Sequence, residues 1–132
     1  MHEKSYGIIP LQNGKVFIVR HKAGDYWGFP KGHHTLGETP QDTAIRELKE
    51  ETNLEVLRLH DSPTYMESYS FVREGDEIHK TVLYFVAEVS GKAAQLTPDV
   101  VEGKWVPLHE CETHVTFEEN KRIAREVIAK YG

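Results

Sequence analysis

The residues with the clearest capacity for chemistry lie in one short segment, Arg46 to Glu51, which reads RELKEE. If this segment is helical, Glu47, Glu50 and Glu51 are spaced i, i+3 and i+4 and share one helix face. Three carboxylates held that close together repel one another unless a cation lies between them. Mg²⁺ and Mn²⁺ prefer oxygen ligands of this kind. A solvated surface helix is the alternative for so short a charge-rich run, and the residues around it decide between the two.

The residues that flank this segment predict the helix. Thr39 is a suitable N-cap, Pro40 fits the first helical position, and Asn53 tolerates the left-handed conformation that closes a helix. Between the caps, Ile45 and Leu48 contribute to an apolar stripe at helical spacing. We therefore expect the stripe to face a core and the carboxylates to face elsewhere.

The stretch from Gly32 to Leu54 resembles the signature of the Nudix hydrolases, G-x5-E-x7-R-E-U-x-E-E-x-G-U, in which U is a bulky apolar residue. Every defined position matches except the last glycine, which is Asn53 here. Since that glycine would serve a left-handed cap, the departure bears on stability rather than chemistry. The resemblance covers nearly the whole chain. It implies one Nudix domain over residues 1–132, with an α+β fold in which a mixed β-sheet lies between helices, an α/β/α sandwich.

The resemblance also implies a metal site. Glu50 and Glu51 would hold Mg²⁺, with Mn²⁺ as a possible substitute, and the backbone carbonyl of Gly32 would reach the same ion. Glu47 would either complete the metal shell or take the proton from the attacking water. Clustered acids raise one another's pKa and a metal lowers it, so the sequence leaves the identity of the base open.

Two further acids are expected to support this site. Glu38 is expected to partner Arg46 rather than metal, and a late loop would supply one more acid, with Asp99 as the first candidate and Glu102 as the second. The catalytic candidates are thus Glu38, Arg46, Glu47, Glu51 and Asp99, and the metal candidates are Gly32, Glu47, Glu50, Glu51 and Glu102.

Two stretches outside the signature carry a narrower resemblance. Residues 26–33 (YWGFPKGH) and 80–89 (KTVLYFVAEV) resemble the asymmetric diadenosine tetraphosphate hydrolases of the Nudix family. The resemblance implies Mg²⁺-dependent hydrolysis of a nucleoside polyphosphate anhydride, in which water attacks phosphorus and diadenosine tetraphosphate yields ATP and AMP. The partner would be a small molecule, a dinucleoside polyphosphate.

The same stretches contain the expected substrate contacts. Lys31, His33 and Lys80 would contact the highly anionic phosphate chain. An adenine needs a flat apolar partner, and Tyr84 is the first candidate by resemblance. Phe117 is the second, with packing at the start of the last helix as its alternative role.

Two other functions stay open. An RNA 5′-pyrophosphohydrolase has the same signature and a similar W-x-F-P-x-G entry, so an RNA 5′ end is a possible partner. The net charge of −5 argues against broad electrostatic binding to nucleic acid and favours the smaller substrate. A non-catalytic nucleotide-binding module of the family usually lacks signature carboxylates, which this chain retains.

Length and composition bound these interpretations. The 132 residues predict one domain. No apolar run approaches the length of a membrane span, so we expect a soluble protein without a membrane partner. Cys111 is the only cysteine, which excludes an internal disulfide and suits the cytoplasm. A monomer is expected.

Periodicity and turn residues predict the remaining elements. A hairpin is expected from strands 5–11 and 15–21 around Gln12-Asn13-Gly14, and a second from strands 65–72 and 78–89. In the second, one face of strand 78–89 is expected to pack and the other to line a cleft. Shorter strands are expected at 55–59 and 103–108, a break at 60–63, and loops at 22–26 and 90–101. Thr116 and Glu119 predict a capping box for an amphipathic terminal helix.

Overall fold

The computed structural model describes residues 1–94 and 97–132. The predicted loop 90–101 therefore falls partly outside the described residues. The strands are β1 (His2–Gln12), β2 (Lys15–His21), β3 (Tyr26–Gly28), β4 (Lys31–His33), β5 (Glu55–Arg73), β6 (Asp76–Ser90) and β7 (Val100–Pro107). The helices are α1 (Pro40–Thr52), α2 (Cys111–His114) and α3 (Glu118–Tyr131), and a 3-10 turn at Leu108–Glu110 precedes α2. No helix in the described ranges is long and apolar enough to cross a membrane.

The strands form one mixed sheet. Its order is β3-β2-β1-β6-β5, with β4 paired to β1 and β7 paired to β2. β1 and β6 are parallel, whereas the other pairs are antiparallel. The pairing of β1 with β6 brings the start of the chain beside its second half, so residues far apart in sequence meet on the same sheet.

Each face of the sheet is covered by a helix. On one face α1 buries Ala44 and Leu48 against the sheet, while on the other α3 buries Ile123, Ala124 and Val127. The predicted α+β arrangement, a mixed sheet between helices, is confirmed. Ile45 is the exception in the α1 stripe, because its side chain is 37% exposed.

The central strand β6 contributes to both cores. Val82 and Val86 pack on the α3 side, whereas Phe85 and Ala87 pack on the α1 side. The expectation that one face of this strand lines a cleft is therefore wrong over this stretch. Burial on both faces explains the nearly continuous apolar run of the strand.

Both predicted hairpins are present with two-residue turns. Asn13 and Gly14 have positive φ angles of 53° and 75° between the paired residues Gln12 and Lys15. Glu74 and Gly75 also have positive φ angles, 51° and 83°. Two positive φ angles are what a tight turn with the right-handed twist of the strands requires.

The break predicted at residues 60–63 is wrong as a strand boundary. β5 runs unbroken from Glu55 to Arg73, and the segment is a bulge inside it. His60 pairs with Val86 and Thr64 pairs with the adjacent Phe85, so residues 61–63 have no partner in β6. The turn-forming residues Asp61, Ser62 and Pro63 mark this bulge rather than a strand end.

The capping box predicted at Thr116 is also wrong. α3 begins at Glu118 with Phe117 as its N-cap, and no side chain caps it. The Thr116 hydroxyl instead accepts a hydrogen bond from the Trp27 backbone N–H at 2.9 Å, and the Thr116 N–H donates to the Trp27 carbonyl at 3.1 Å. Trp27, a residue distant in sequence, therefore bonds the hydroxyl that the local sequence pattern assigned to the helix cap.

Candidate active site

The ends of α1 fix the direction in which its acids point. The Thr39 hydroxyl accepts a hydrogen bond from the Asp42 N–H at 3.1 Å, and Asn53 adopts the left-handed conformation at φ 65°. Both predicted caps are confirmed. Ala44 and Leu48 are fully buried, and Glu47 and Glu51 lie beside this stripe on the flank of the helix that contacts β4.

Arg46 organises the acids from one side. Its Nε and Nη2 donate to the two carboxylate oxygens of Glu38 at 2.8 and 3.0 Å. The Thr43 hydroxyl donates to the same carboxylate at 2.9 Å. These bonds, with Arg46 the largest contributor, lower the pKa of Glu38 to about 2. The pairing expected between Glu38 and Arg46 is present.

The same guanidinium also holds two acids of the expected metal site. Its Nη1 donates to Glu47 Oε1 at 3.0 Å and lies 3.2 Å from each carboxylate oxygen of Glu50. Arg46 thus draws Glu38, Glu47 and Glu50 together and offsets part of their mutual repulsion.

Glu51 is the acid that Arg46 does not reach. Its side chain points inward, so the residue is only 6% exposed. Burial, then the charge of Glu47, raises the pKa of Glu51 to about 9. Its Oε2 is buried, and the described chain provides no hydrogen-bond partner for it. A buried carboxylate oxygen left without a partner is costly, and a positive ligand would satisfy it.

Gly32 in β4 lies directly against this acidic face. A Cβ at this position would overlap the carboxyl group of Glu47, so only glycine lets the two approach. Burial also raises the pKa of Glu47, an effect that the neighbouring Arg46 partly offsets. The glycine therefore brings the β4 backbone next to the acids, and the contribution of its carbonyl to a metal site stays a prediction.

The acidic face provides oxygen donors suited to a hard divalent cation, but side chains alone do not complete the site. In residues 1–94 and 97–132, no group of three or more histidine, cysteine or acidic side chains is arranged to hold a metal ion. Arg46 accounts for part of this, because it holds Glu47 and Glu50 to itself. Mg²⁺ usually keeps water and substrate oxygens in its shell. The donors fit an ion that shares its shell between the protein and a ligand.

A cavity of about 750 Å³ opens over these acids. We call it the charged cavity, because both acids and basic groups line it, and we refer to these two sets of residues as its acidic and its basic side. The acids are Glu47, Glu50, Glu51 and Asp99, and the basic groups are His21, Lys31, His33, Arg73 and Lys80. The arrangement can bind a polyanion and a cation side by side.

The two late-loop candidates lie in different places. Asp99 lines the charged cavity, and its backbone carbonyl accepts a hydrogen bond from the Lys22 N–H at 2.9 Å. Glu102 is not among the residues that line the cavity, and its carboxylate accepts from Arg20 Nε at 3.0 Å. Glu102 lines a separate pocket together with Glu51, so both late-loop acids stay predictions for the fourth acid of the site.

The basic side of the cavity contains an arginine that the sequence did not single out. Arg73, at the end of β5, bonds Glu3 in β1 at 2.8 Å. Glu3 also lies 3.5 Å from His33. The parallel register of β1 and β6 places Lys80 beside Glu3. The signal for Arg73 was its position at the hairpin turn, which acquires meaning only once the hairpin is placed beside β1.

Tyr84 does not lie where a base could stack on it, which corrects the sequence-based expectation. The residue is 1% exposed, and its ring packs edge-on against Phe29 with centroids 5.5 Å apart. Its hydroxyl donates to Glu67 Oε1 at 3.0 Å. Since β6 is central and packed on both faces, a tyrosine in it is a core residue.

A second pocket of about 380 Å³ presents exposed aromatic rings instead. We call it the aromatic pocket; Tyr26, Tyr69 and Phe117 line it together with Gly24, Glu67, Glu118 and Glu119. Phe117 is 47% exposed and lies 4.7 Å from Tyr26 between centroids. The second candidate for stacking is thus exposed in this pocket, whereas Tyr26 and Tyr69 were missed.

The aromatic pocket and the charged cavity are contiguous, because Gly24, Tyr26 and Tyr69 line both. An elongated ligand with a flat apolar end and a charged chain could therefore occupy the two together. Tyr26 and Tyr69 could have been found from the sequence only as aromatic residues near turns, a weak signal.

Comparison with known proteins places the chain in a family. The model of the NUDIX domain matches residues 1–131. The "Putative mutator protein MutT4" of Mycobacterium tuberculosis is 35% identical over 99 residues, which are 74% of this chain and 39% of that longer protein. The asymmetrical bis(5′-nucleosyl)-tetraphosphatase of Rattus norvegicus is 32% identical over 125 residues, 90% of this chain and 84% of that one.

Among solved structures, the Ap4A hydrolase of C. elegans superposes with a TM-score of 0.74 over the full length of both chains, at 24% identity. This likeness supports the fold, and the match to the NUDIX domain over almost every residue agrees with the signature and its geometry. The chain belongs to the Nudix hydrolase family.

Proposed function

We propose that this Nudix hydrolase cleaves diadenosine tetraphosphate to ATP and AMP, by attack of water on phosphorus with Mg²⁺ bound. Mn²⁺ is a possible substitute. The observation that carries the proposal is the continuity of the charged cavity with the aromatic pocket. A dinucleoside polyphosphate has the matching form, because a polyanionic chain joins flat bases.

The basic side of the charged cavity would hold the phosphate chain. Lys31 and Lys80 line it, and Arg73 adds positive charge, although its two terminal nitrogens bond Glu3. A chain with a net charge of −5 repels polyphosphates at long range, so these local cations are needed for binding.

The acidic side would hold the metal. Glu50 and Glu51 are the first ligands, and the Gly32 carbonyl and Glu47 can contribute further oxygens. A divalent cation supplies charge neutralisation on the phosphate oxygens. Arg46 keeps Glu47 and Glu50 close together, where both carboxylates would be within reach of the ion.

Proton transfer falls to an acid on the same face. Glu47 is half-buried, its pKa is raised by burial, and it lies beside the Gly32 backbone. A carboxylate with a raised pKa is a better proton acceptor for the attacking water. Asp99 is the alternative acceptor, because it lines the cavity from the opposite loop.

The aromatic pocket would hold one adenine. Tyr26, Tyr69 and Phe117 offer ring faces on which a base can stack, a sequence-tolerant contact that contributes about 1–3 kcal/mol per base. The rat relative, which aligns with 90% of this chain, is named for this asymmetrical cleavage.

A product assay tests the proposal. The protein is incubated with Mg²⁺ and either diadenosine tetraphosphate or 5′-triphosphorylated RNA, and the products are separated by chromatography. ATP and AMP in equal amounts, with little RNA cleavage, are expected. Two ADP would contradict the position of attack, and efficient release of pyrophosphate from RNA would favour the RNA 5′-pyrophosphohydrolase. No product from either substrate would favour a nucleotide-binding module.

A further inference from the structure

The aromatic pocket contains a buried acid that the proposed reaction does not use. Glu67 in β5 is only 4% exposed, although it lines this pocket. Its Oε1 accepts a hydrogen bond from the Tyr84 hydroxyl at 3.0 Å, and its Oε2 accepts one from Asn120 Nδ2 at 3.0 Å. Both of these donors are neutral groups.

A carboxylate buried this way is expensive for the fold. Removing it from water costs several kcal/mol unless strong partners compensate, and here burial raises its pKa despite both hydrogen bonds. A leucine would avoid this cost, but it would leave the buried Tyr84 hydroxyl and Asn120 amide without their acceptor. An acid at this position provides each donor with an acceptor oxygen and keeps further acceptor capacity for a donor in the pocket.

The two hydrogen bonds leave Glu67 able to accept more. Each carboxylate oxygen has two lone-pair directions, and Tyr84 and Asn120 each occupy one. Because both partners donate, they fix the carboxylate as an acceptor and hold it in one orientation. A further acceptor position on this rigid group is available to a donor that enters the pocket.

The position of Glu67 matters because the other walls of the pocket do not distinguish bases. Ring faces such as those of Tyr26 and Phe117 stack on any base and carry little base-specific information. Glu67 lines the same pocket as Tyr26 and Tyr69; burial raises the pKa of both tyrosines, and the charge of Glu67 adds to this. A buried acceptor next to a stacked base reads the hydrogen-bond donors of that base.

We propose that Glu67 determines base specificity by accepting a hydrogen bond from the exocyclic amino group of an adenine held in the aromatic pocket. This inference rests on the proposed function, since it needs a nucleobase in that pocket. Loss of a buried hydrogen bond to a charged group reduces affinity by roughly tenfold or more. A purine without the amino group should therefore bind correspondingly more weakly.

Glu119, another acid of the pocket, provides the control. Glu119 accepts hydrogen bonds from Arg122 at 2.9 and 3.1 Å, and its side chain is 48% exposed. Water and Arg122 compete with a bound base for this exposed carboxylate, so Glu119 should contribute little to discrimination between bases. Glu119→Gln removes a charge from the same pocket without touching the buried acceptor.

Calorimetry would compare the binding of AMP with that of purine riboside 5′-monophosphate, which lacks the 6-amino group. Wild type and Glu119→Gln should bind AMP about tenfold more tightly than the analogue. Glu67→Gln keeps the size of the side chain and should reduce this ratio to about threefold or less, mainly by weakening AMP.

Two results would overturn the inference. The first is equal binding of AMP and the analogue by wild type, a result that needs no variant and so holds even if Glu67→Gln does not fold. The second is a folded Glu67→Gln that keeps the wild-type ratio, which would make Glu67 a structural acid of the core. Failure to cleave the tetraphosphate would count against the proposed function alone, because base preference is measured here without turnover.

Discussion

At the scale of single residues, Lys80 connects the charged cavity to pH. Burial, with Lys31 as the next contributor, lowers the pKa of its ammonium group to about 8. Below that pH the group is charged and can bind phosphate, and above it the free enzyme loses this charge. Since kcat/KM reports ionisations of the free enzyme, it should fall as pH rises through about 8.

The variant Lys80→Arg separates this effect from other titrations, because arginine stays charged throughout. The ratio of wild-type to variant kcat/KM for diadenosine tetraphosphate, measured from pH 7 to 9.5, should fall about three- to tenfold. Mg²⁺-saturated protein is used throughout. Parallel profiles for the two proteins would show that Lys80 does not contact the phosphate chain.

The acids of the site could be predicted from the sequence, whereas the burial of Tyr84 could not. The acids of the site follow from fixed spacing within one helix, and a helix places i, i+3 and i+4 together whatever surrounds it. No local rule of this kind predicts whether the Tyr84 side chain is buried. Its burial depends on β6 being central and covered on both faces, and the exposure of Tyr69 depends on β5 lying at the sheet edge.

At the scale of elements, local signals succeeded where the partner is local. The caps of α1 and the two hairpin turns are set by residues within a few positions, and all of them are present. The capping box predicted at Thr116 was wrong because the Thr116 hydroxyl accepts a hydrogen bond from Trp27, which is 89 residues away in the sequence. The break predicted at residues 60–63 was wrong for a related reason, since only the pairing with β6 shows that the strand continues past the bulge.

Asn53 allows a test at this scale. It closes α1 in the left-handed conformation, and its N–H donates to the Lys49 carbonyl at 3.0 Å. Asn53→Gly should leave stability unchanged or raise it by up to about 1 kcal/mol, because glycine adopts this conformation without strain. Asn53→Ala should lower stability by about 1 kcal/mol for the opposite reason. Urea unfolding measures both.

Both Asn53 variants should keep kcat within about twofold, since the backbone hydrogen bond to Lys49 stays and no site residue is removed. A tenfold loss of kcat in Asn53→Ala with unchanged stability would mean that this cap positions Glu51 for chemistry. Wild type measured in the same buffers is the reference.

At the scale of the whole molecule, the site is an assembly of distant elements. α1 supplies the acids, β4 supplies Gly32 and Lys31, and the β5–β6 hairpin supplies Arg73 and Lys80. The parallel pairing of β1 with β6 brings these pieces together at one end of the sheet. The apolar cores on the two faces of the sheet contain none of these charged groups, so most of the site can be changed without opening a core, with the buried Glu51 as the exception.

Glu51 is where the two oppose each other. Its pKa is about 9 in the folded protein, against about 4.5 unfolded, so the folded protein keeps a proton that the unfolded chain releases. The stability of metal-free wild type should therefore fall as pH rises from about 4.5 to about 9. Glu51→Gln removes this dependence and should be more stable at pH 8 in chelator by on the order of 1–3 kcal/mol.

The same substitution, Glu51→Gln, should reduce metal binding and catalysis although it stabilises the metal-free protein. Mg²⁺ should raise the Tm of wild type above that in NaCl of equal ionic strength, because it binds the folded state. Glu51→Gln should lose most of this rise and at least about 100-fold in kcat, whereas Glu55→Gln, an exposed acid paired with Lys49, should behave as wild type. A Glu51→Gln protein with a full Mg²⁺-dependent rise would remove Glu51 from the metal site and leave its buried oxygen without an explanation.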